Sequence, residues 1–549
     1  MAKISYKKYN QGQGVLFPVS IDSKIPEESP VRLVNHIVNE LDLSEIDFGY
    51  KGGGTSSYHP RMMLKVLFYA YLNNIYSCRK IATQLEQNIH YMWLSGDQTP
   101  DFRTINNFRS LRLKDSIHKL FVQVVEMLAD MGCITLQELY IDGTKKESKA
   151  GRYTFVWRKS VERHKGNLEK KIHGILSQIE DGIAQDNLPD NDPPTSYNSK
   201  ELRDRVAAIN KENKSKQETN LIRDLENKLI PKLEEYEEKL EILDDRNSYS
   251  KTDTDATFMR MKDDHMMNGQ LKPAYNEQIG TENQFILHYD FFQNPTDTLT
   301  FIPFLKSFQN NYSIYPNKVC ADAGYGSEEN YSFLEENKID TYVKYNYYDK
   351  EQKKSFKNNP FLQQNLYYNQ EEDYYVCPMG QHMKHTRNIK RKSGSGYKSD
   401  ISIYSASNCD GCPLRGMCHK AKGNREIQIN HSLNKYKEKA RENLSTEEGV
   451  RMMKRRTVEP ESVFGQMKYN KSYNRFRHIG VDKVKMDFGI FAIAFNILKM
   501  YKMRGFCPKT LICKQKTSQN TYSSIFLFEI RVRNKNMFRG NCFSGKCAA

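Results

Sequence analysis

The chain has 549 residues, of which 38% are apolar, and its 83 Lys and Arg residues exceed its 67 Asp and Glu residues by 16. Mean hydropathy is −0.75, the longest mostly apolar run (Phe488–Met500) is too short to span a bilayer, and the first ten residues lack an apolar core, so we expect a cytoplasmic protein. The length predicts three or four domains. The excess positive charge favours nucleic acid as a partner, although an AT-rich genome also enriches Lys, Asn and Tyr.

The first part of the chain has helical periodicity from Val31 to about Leu113. His59-Pro60-Arg61 begins a second amphipathic segment, and Ser77 is a predicted N-cap. A later segment contains Arg103 and Arg109, which we expect to face solvent or phosphate. Two interpretations fit this spacing equally: a helix-turn-helix that reads DNA ends, and a helical bundle with solvated arginines.

Alternating apolar residues then predict strands. The first is LQELYIDGT, which ends near Asp142, and two more lie around Tyr275 and Leu287. A polar, Lys- and Glu-rich insertion from about residue 159 to 248 separates them. Its two apolar stripes at helical spacing, with a turn near residues 187–194, predict a helical hairpin or short coiled coil.

The sheet is expected to continue further along the chain. A helix near Ser327–Glu336 precedes a predicted strand from Ile339 to Tyr348, and mostly β or irregular structure follows to about Asn430. Helices are predicted again from about Ser445 to Lys502.

Three carboxylates occupy positions suited to chemistry. Asp142 and Asp322 each end a predicted strand, and Glu461 begins a predicted helix. Carboxylates that converge repel one another unless a divalent cation neutralises them, and oxygen ligands suit Mg²⁺ or Mn²⁺. Two such ions can activate a nucleophile and stabilise the leaving oxygen of a phosphodiester. Each residue taken alone is more typically a loop cap or a partner of Lys.

The three residues lie in motifs that carry a family resemblance. The motifs YIDGTK, ADAGYGS and VEPESVFGQMKYNKSYNRFRHIG together resemble the signature blocks of bacterial insertion-sequence DDE transposases. Residues from His59 to Arg109 resemble that family's N-terminal helical domain, and VCPMGQ with CDGCPLRGMC resembles the cysteine-containing insertion of one subgroup. The resemblance covers most of residues 30 to 500.

This resemblance implies both a fold and an activity. The fold is α/β: an RNase H-like core with a mixed sheet flanked by helices, an N-terminal helical domain, a helical-hairpin insertion and a Cys-rich, mostly β or irregular insertion. The activity is Mg²⁺- or Mn²⁺-dependent cleavage of double-stranded DNA at the ends of the element, followed by strand transfer into target DNA by a bacterial, nucleoid-associated homodimer. The alternatives are a noncatalytic DNA-binding remnant of a transposase and a host nuclease of the same fold.

The third motif contains two glutamates, Glu459 and Glu461. On a continuous helix they differ by about 200°, so only one can face the metals. Glu461 shares a face with Lys468 and lies three residues before Phe464, as the family pattern requires. Pro460 suits a first helical position, which leaves Glu459 as a cap. The family's upstream Arg fits Glu459 better, through Arg455, but we assign the catalytic role to Glu461.

Basic residues near this motif are predicted to contact DNA phosphates. They join the arginines of the N-terminal segment in one predicted set: Arg103, Arg109, Arg455, Lys468, Arg475 and Arg477. Backbone contact is expected rather than base reading, and a solvated basic helix is the alternative.

Four cysteines form a separate cluster: Cys377, Cys409, Cys412 and Cys418. Thiolates at this spacing can hold a structural Zn²⁺ in an insertion too polar to form its own core, and free thiols are the alternative. The surrounding segment, Met379–Arg425, has ten Lys and Arg against two Asp, which also suits DNA contact.

The predicted boundaries divide the chain as follows: arm 1–30; helical DNA-binding domain 31–132; core 133–158; helical insertion 159–250; core 251–348; Cys-rich insertion 349–444; core with the catalytic Glu helix 445–504; and a tail 505–549 without an assigned role.

Overall fold

The computed structural model describes residues 20–48, 57–183, 198–209, 216–261 and 269–503. The tail at 505–549 and the predicted turn near 187–194 lie outside these ranges.

Helices form the first part of the described chain, as the periodicity predicts: α1 (Pro30–Glu40), α2 (Ser44–Phe48), α3 (Pro60–Leu72), α4 (Cys78–Gln87), α5 (Ile89–Ser95), α6 (Phe102–Asn107) and α7 (Ile117–Asp130). Proline occupies the first turn of α1 and α3, where its missing N–H leaves no bond unmade. The His59 ring accepts a hydrogen bond from the Arg61 amide and caps α3. After α6 the chain makes a π-helical turn at Phe108–Arg112.

A long strand is followed by a helical excursion. The elements are β1 (Glu138–Glu147), β2 (Phe155–Trp157), α8 (Arg158–Ile183), α9 (Ser199–Ile209), α10 (Lys216–Asp224), α11 (Ile230–Leu243) and β3 (Ser248–Ser250). The short β2–β3 pair closes the base of the excursion. The two predicted stripes meet in one apolar cluster, to which α9 adds Leu202 and Val206. The predicted hairpin therefore has an additional helix, α9, which the sequence did not predict.

The next elements complete a mixed sheet: β4 (Thr257–Arg260), β5 (Leu271–Glu282), β6 (Phe285–Phe292), α12 (Phe301–Tyr312), β7 (Lys318–Ala321), α13 (Glu328–Glu336) and β8 (Asp340–Val343). The order is β5–β1–β7–β8, with β6 and β4 both paired to the other side of β5. Pairs that involve β5 are antiparallel, whereas β1–β7 and β7–β8 are parallel. The predicted mixed sheet with flanking helices is thus present.

A second sheet follows, in the region predicted as β or irregular. Its elements are α14 (Tyr348–Glu351), α15 (Lys354–Lys357), β9 (Tyr367–Asn369), β10 (Tyr374–Val376), β11 (His382–Lys392), β12 (Lys398–Ala406), α16 (Arg415–Cys418) and β13 (Glu426–Ile429). The strands are antiparallel in the order β13–β12–β11–β10–β9.

The last described elements are α17 (His431–Ser445), α18 (Glu447–Val458), α19 (Pro460–Gly465) and α20 (Val481–Lys502). Helices therefore resume at His431, earlier than the predicted Ser445. The helix α17 lies against the mixed sheet, where Lys439 pairs with Glu335 and the Asn443 amide donates to the Thr341 carbonyl. Packing against the sheet explains why so polar a segment is helical.

The helix α20 joins the N-terminal helices to the mixed sheet. It is buried over most of its length, and it shares one apolar core with α1, α3, α7 and β6. Inside this core, Asp487 of α20 accepts hydrogen bonds from the hydroxyls of Tyr71 on α3 and Tyr473. The N-terminal helices are thus continuous with the sheet core. None of the described helices combines the length and apolar content that a membrane crossing needs.

Candidate active site

The mixed sheet brings Asp142 and Asp322 side by side. The strands β1 and β7 are parallel, with Tyr140 opposite Cys320. Two residues further along each strand, the same register places Asp142 next to Asp322. The Asp322 carboxylate accepts the Gly324 amide at 2.8 Å and caps the short helical turn Ala323–Tyr325. One parallel strand pair therefore brings together Asp142 and Asp322, which are 180 residues apart in the sequence.

Glu461 is linked to Asp142 by Arg456, which lies near both carboxylates. The Arg456 guanidinium lies 3.0 Å from Glu461 Oε1 and 4.0 Å from Asp142 Oδ2. The Arg456 side chain is only 15% exposed, whereas Glu461 is 46% exposed. A partly desolvated cation thus lies between the two carboxylates and offsets their repulsion. We call Asp142, Asp322 and Glu461 the carboxylate site.

Glu459, the other glutamate of the motif, has a different environment. The helix is broken at this residue: α18 ends at Val458, Glu459 is the N-cap, and α19 begins at Pro460. The Glu459 carboxylate is buried, accepts the Gln284 amide at 2.6 Å and pairs with Arg455 at 3.2 Å. The Glu459 carboxylate therefore joins α18 to the β5–β6 turn, and its place before α19 agrees with the predicted cap position.

A fourth carboxylate, Asp297, lies beside the site, and the sequence did not predict it. Its Oδ1 accepts hydrogen bonds from the Asn276 and Gln278 side chains of β5 at 2.8 and 3.0 Å. Burial raises the pKa of the Tyr325 hydroxyl well above its usual value, and the charges of Asp297, Asp142 and Asp322 raise it further. Three aspartates therefore surround this buried hydroxyl.

Close backbone approach supports the same placement of Asp297. A Cβ at Gly143 would collide with Gln278 Nε2 and lie 3.0 Å from Asp297 Oδ1, and a Cβ at Gly324 would lie 3.0 Å from Asp322 Oδ1 and 3.7 Å from Asp297 Oδ2. Gly143 thus leaves room for Gln278, which donates to Asp297, and Gly324 leaves room for Asp322. No motif or spacing in the sequence connects Asp297 with the other three residues, because β5 and the β6–α12 loop meet β1 only in the folded sheet.

Two lysines lie along β1 beyond Asp142. The Lys468 ammonium donates to Thr144 Oγ1 at 2.8 Å, which keeps Lys468 beside the site. Lys146 is fully buried, pairs with Glu277 at 2.6 Å and lies over aromatic rings that include Tyr473. Burial lowers the pKa of Lys146 to about 8, against the opposing effect of Glu277. The expected helical face shared by Glu461 and Lys468 is altered by a π-helical turn at Gln466–Asn470.

The predicted DNA-contacting residues differ in their exposure. Arg103 and Arg475 are exposed, and Arg475 donates to the carbonyl of Ser148. Arg455 is 37% exposed beside Glu459, and Arg477 lies over the Tyr76 ring.

The expectation that Arg109 faces solvent or phosphate is wrong. Arg109 is 6% exposed, donates to the Tyr71 hydroxyl and the Tyr76 carbonyl, and lies 4.0 Å from Asp487. The π-helical turn that holds it directs the side chain into the core, where the Asp487 charge compensates it.

The four clustered cysteines line one small cavity, together with His419 and Arg425. Backbone amides donate to two of the sulfurs: Gln381 N to Cys377 Sγ and Arg425 N to Cys409 Sγ, each at 3.3 Å. The Arg425 guanidinium donates to Cys418 Sγ at 3.0 Å. All four thiols are free of disulfides.

Neither the carboxylates nor the cysteines form a closed metal cage. Within the described ranges, no group of three or more His, Cys, Asp or Glu side chains is gathered closely enough to hold a metal ion. At the carboxylate site, the Arg456 guanidinium lies between Asp142 and Glu461.

Two known protein families match parts of the chain. A family described as "Transposase DDE domain" matches residues 376–501, and one described as "Transposase domain (DUF772)" matches residues 19–111. Both matches support the similarity of the chain to insertion-sequence DDE transposases. The predicted resemblance is thus confirmed, and a DDE domain implies a DNA-cleaving, strand-transferring enzyme that uses divalent metal ions.

The matches cover different parts of the structure. The DUF772 match spans α1 to α6, and the DDE match spans Glu461 and the cysteine cluster but neither Asp142 nor Asp322. The assignment of those two aspartates therefore depends on their sequence motifs and on the strand geometry. No curated protein matched the chain.

Proposed function

We propose that this transposase binds the ends of its own element, cleaves them and joins them to target DNA, with Asp142, Asp322 and Glu461 as the metal-holding catalytic residues. The observation that supports the proposal is that the strand register puts Asp142 and Asp322 next to each other and that Arg456 lies between Asp142 and Glu461. Asp142 and Asp322 share a register on β1 and β7, and Glu461 shares Arg456 with Asp142. The mixed sheet is, in this proposal, the RNase H-like core.

The donor set fits a hard divalent cation. The three residues present only carboxylate oxygens, which Mg²⁺ and Mn²⁺ prefer, and the site is partly open to solvent at Glu461. When bound, such ions would activate the attacking oxygen and stabilise the leaving oxygen of a phosphodiester. We propose that Arg456 leaves the space between the carboxylates when they hold metal.

Residues of the chain itself would orient the DNA. Lys468, fixed by Thr144 beside the site, presents a positive charge to the phosphate next to the cleaved bond. Arg103, Arg455, Arg475 and Arg477 would contact the backbone farther away. These contacts position the duplex without reading its sequence.

Cleavage of labelled element-end duplexes tests the proposal. Wild-type protein is expected to cut in Mg²⁺ or Mn²⁺ and not in EDTA, and Asp322→Asn is expected to bind the duplex without cutting it. A chain that binds but never cuts would instead be a noncatalytic remnant. A chain that cuts with no preference for the element ends would be a nuclease of the same fold.

For the cysteine cluster we propose a structural Zn²⁺ held by Cys377, Cys409, Cys412 and Cys418. Amide donors to two of the sulfurs, and the Arg425 guanidinium beside a third, would stabilise thiolates. Protein purified without chelator should contain one zinc per chain, and Cys409→Ser should lose it. Zinc-free protein with four titratable thiols in this segment would contradict the assignment.

A further inference from the structure

The β11–β12 hairpin carries a row of positive charge that is only partly compensated. Between His382 and Lys398 there are six basic residues and no acidic one, and all six are exposed: Lys384, Arg387, Lys390, Arg391, Lys392 and Lys398. Of these, Arg387 pairs with Glu426, and Asp400 of β12 lies opposite Lys390 in the strand register. Within the described ranges no ion pair engages the other five cations. Clustered, exposed cations that outnumber nearby counter-charges attract a polyanion.

The tip of this hairpin contacts the core next to the carboxylate site. The Ser395 hydroxyl donates to Glu329, and the Ser399 hydroxyl donates to Glu328 at 2.6 Å, at the start of α13. A Cβ at Gly394 would lie 3.6 Å from Leu299. The hairpin tip therefore packs on the β6–α12 loop.

That loop belongs to the carboxylate site. Leu299 follows Thr298, whose hydroxyl donates to the Gly324 carbonyl at 2.7 Å, and Gly324 in turn donates its amide to Asp322. The consecutive cations Lys390, Arg391 and Lys392 stand at the tip end of β11. Lys390 and Lys392 project from one face of β11 and Arg391 from the other, because side chains alternate along a strand.

The length of the row suits duplex DNA. The cations of β11 run from Lys384 to Lys392, and at about 3.4 Å per residue this row extends roughly 27 Å. One turn of B-DNA is about 34–36 Å long. A duplex that enters the carboxylate site could therefore remain in contact with the cations of β11 over most of one turn.

We propose that the exposed cations of β11 bind the phosphate backbone of the duplex that leads into the carboxylate site, with Lys390 and Lys392, which share one face of the strand, contacting phosphates nearest the cleaved bond. The proposal rests on the proposed function for the location of that bond. It adds a DNA-guiding surface, independent of base sequence, to the second sheet.

Binding at several salt concentrations tests the surface. The test variant is the triple substitution Lys390→Gln, Arg391→Gln and Lys392→Gln, and the matched control replaces three exposed cations of α8, Arg163→Gln, Lys170→Gln and Lys171→Gln. Each phosphate contact contributes about 0.9 to the slope of log K against log salt. We expect the slope for the hairpin variant to be smaller by about 2, and the variant to bind an element-end duplex at least tenfold more weakly at 0.1 M salt. The control should match wild type.

The location is tested by hydroxyl-radical footprinting on protein that also carries Glu461→Gln. Protection should be lost within one helical turn of the cleaved bond. Unchanged binding by the hairpin variant, or an equal loss in the control, would overturn the proposal, provided that circular dichroism and melting show both variants to be folded. If wild type binds but does not cleave, the proposed function fails, and the salt slope still decides whether the hairpin contacts DNA.

Discussion

The two glutamates of the third motif offer a sharp test, because they are two residues apart and have different environments. Glu461→Gln removes a charge that is 46% exposed and pairs with Arg456. We expect the free energy of unfolding to change by no more than about 0.5 kcal/mol, as for other exposed positions. If Glu461 holds metal as proposed, strand cleavage should fall by on the order of 10³-fold, since a charge that would stabilise the transition state through the metal is lost.

Glu459→Gln should have the reverse effect. Its hydrogen bond from the Gln284 amide is charge-assisted, and such bonds contribute about 1.5–3 kcal/mol. The pair with Arg455, which is 37% exposed, adds less than about 1 kcal/mol. Because glutamine keeps a neutral acceptor for Gln284, we expect a net loss of about 2 kcal/mol in the free energy of unfolding. Cleavage should stay within threefold of wild type.

Two measurements separate these outcomes. Urea unfolding gives the stability of each variant, and single-turnover cleavage of a labelled element-end duplex in Mg²⁺ gives the rate at a temperature where both are folded. Binding of the same duplex in EDTA shows that each variant still engages DNA. The assignment is refuted if folded Glu459→Gln protein binds without cutting, or if Glu461→Gln cuts at the wild-type rate.

Three further substitutions test the surroundings of the site. Arg456→Gln should bind Mn²⁺ more tightly than wild type in the absence of DNA, because a competing cation is removed. Electron paramagnetic resonance of free Mn²⁺ measures this binding, and weaker binding than in the Arg455→Gln control would contradict the prediction. Asp297→Asn should raise the Mn²⁺ concentration needed for cleavage by about 10–100-fold, as changes beside metal ligands typically do, and an unchanged requirement would exclude Asp297 from the site. Asp487→Asn leaves Arg109 buried without its counter-charge, so the free energy of unfolding should fall by about 3–5 kcal/mol; a loss below about 1 kcal/mol would show that the pair is unimportant.

The last substitution also has a pH signature. Burial alone would raise the pKa of Asp487, but His478, Arg109 and the Tyr71 hydroxyl outweigh it and hold the pKa well below its usual range. A depressed carboxyl pKa stabilises the fold above the unfolded value of about 3.9, and this contribution is lost as the pH falls. Wild type should therefore lose stability more steeply than Asp487→Asn below about pH 4, measured by urea unfolding. If the free energies of unfolding of the two proteins fall with equal slopes below pH 4, another group controls the loss of stability in acid.

Much of the local structure follows from the sequence alone, because its signals are short in range. Proline at the start of α3, the alternation around Asp142 and the apolar stripes of α8 and α11 each act within a few turns or residues. The family was also readable from its motifs, since these are contiguous. The same local rule placed Glu459 at a cap, since proline at the next position begins a helix.

Tertiary structure decided what surrounds each charge. Arg103 and Arg109 look alike in the sequence, yet only Arg109 enters the core, because Asp487 lies there to compensate it. Asp297 and Arg456 join the carboxylate site because strand pairing and the break between α18 and α19 bring together segments that are far apart in the chain. Burial and charge compensation depend on such long-range packing, so no periodicity or spacing within one segment could reveal them.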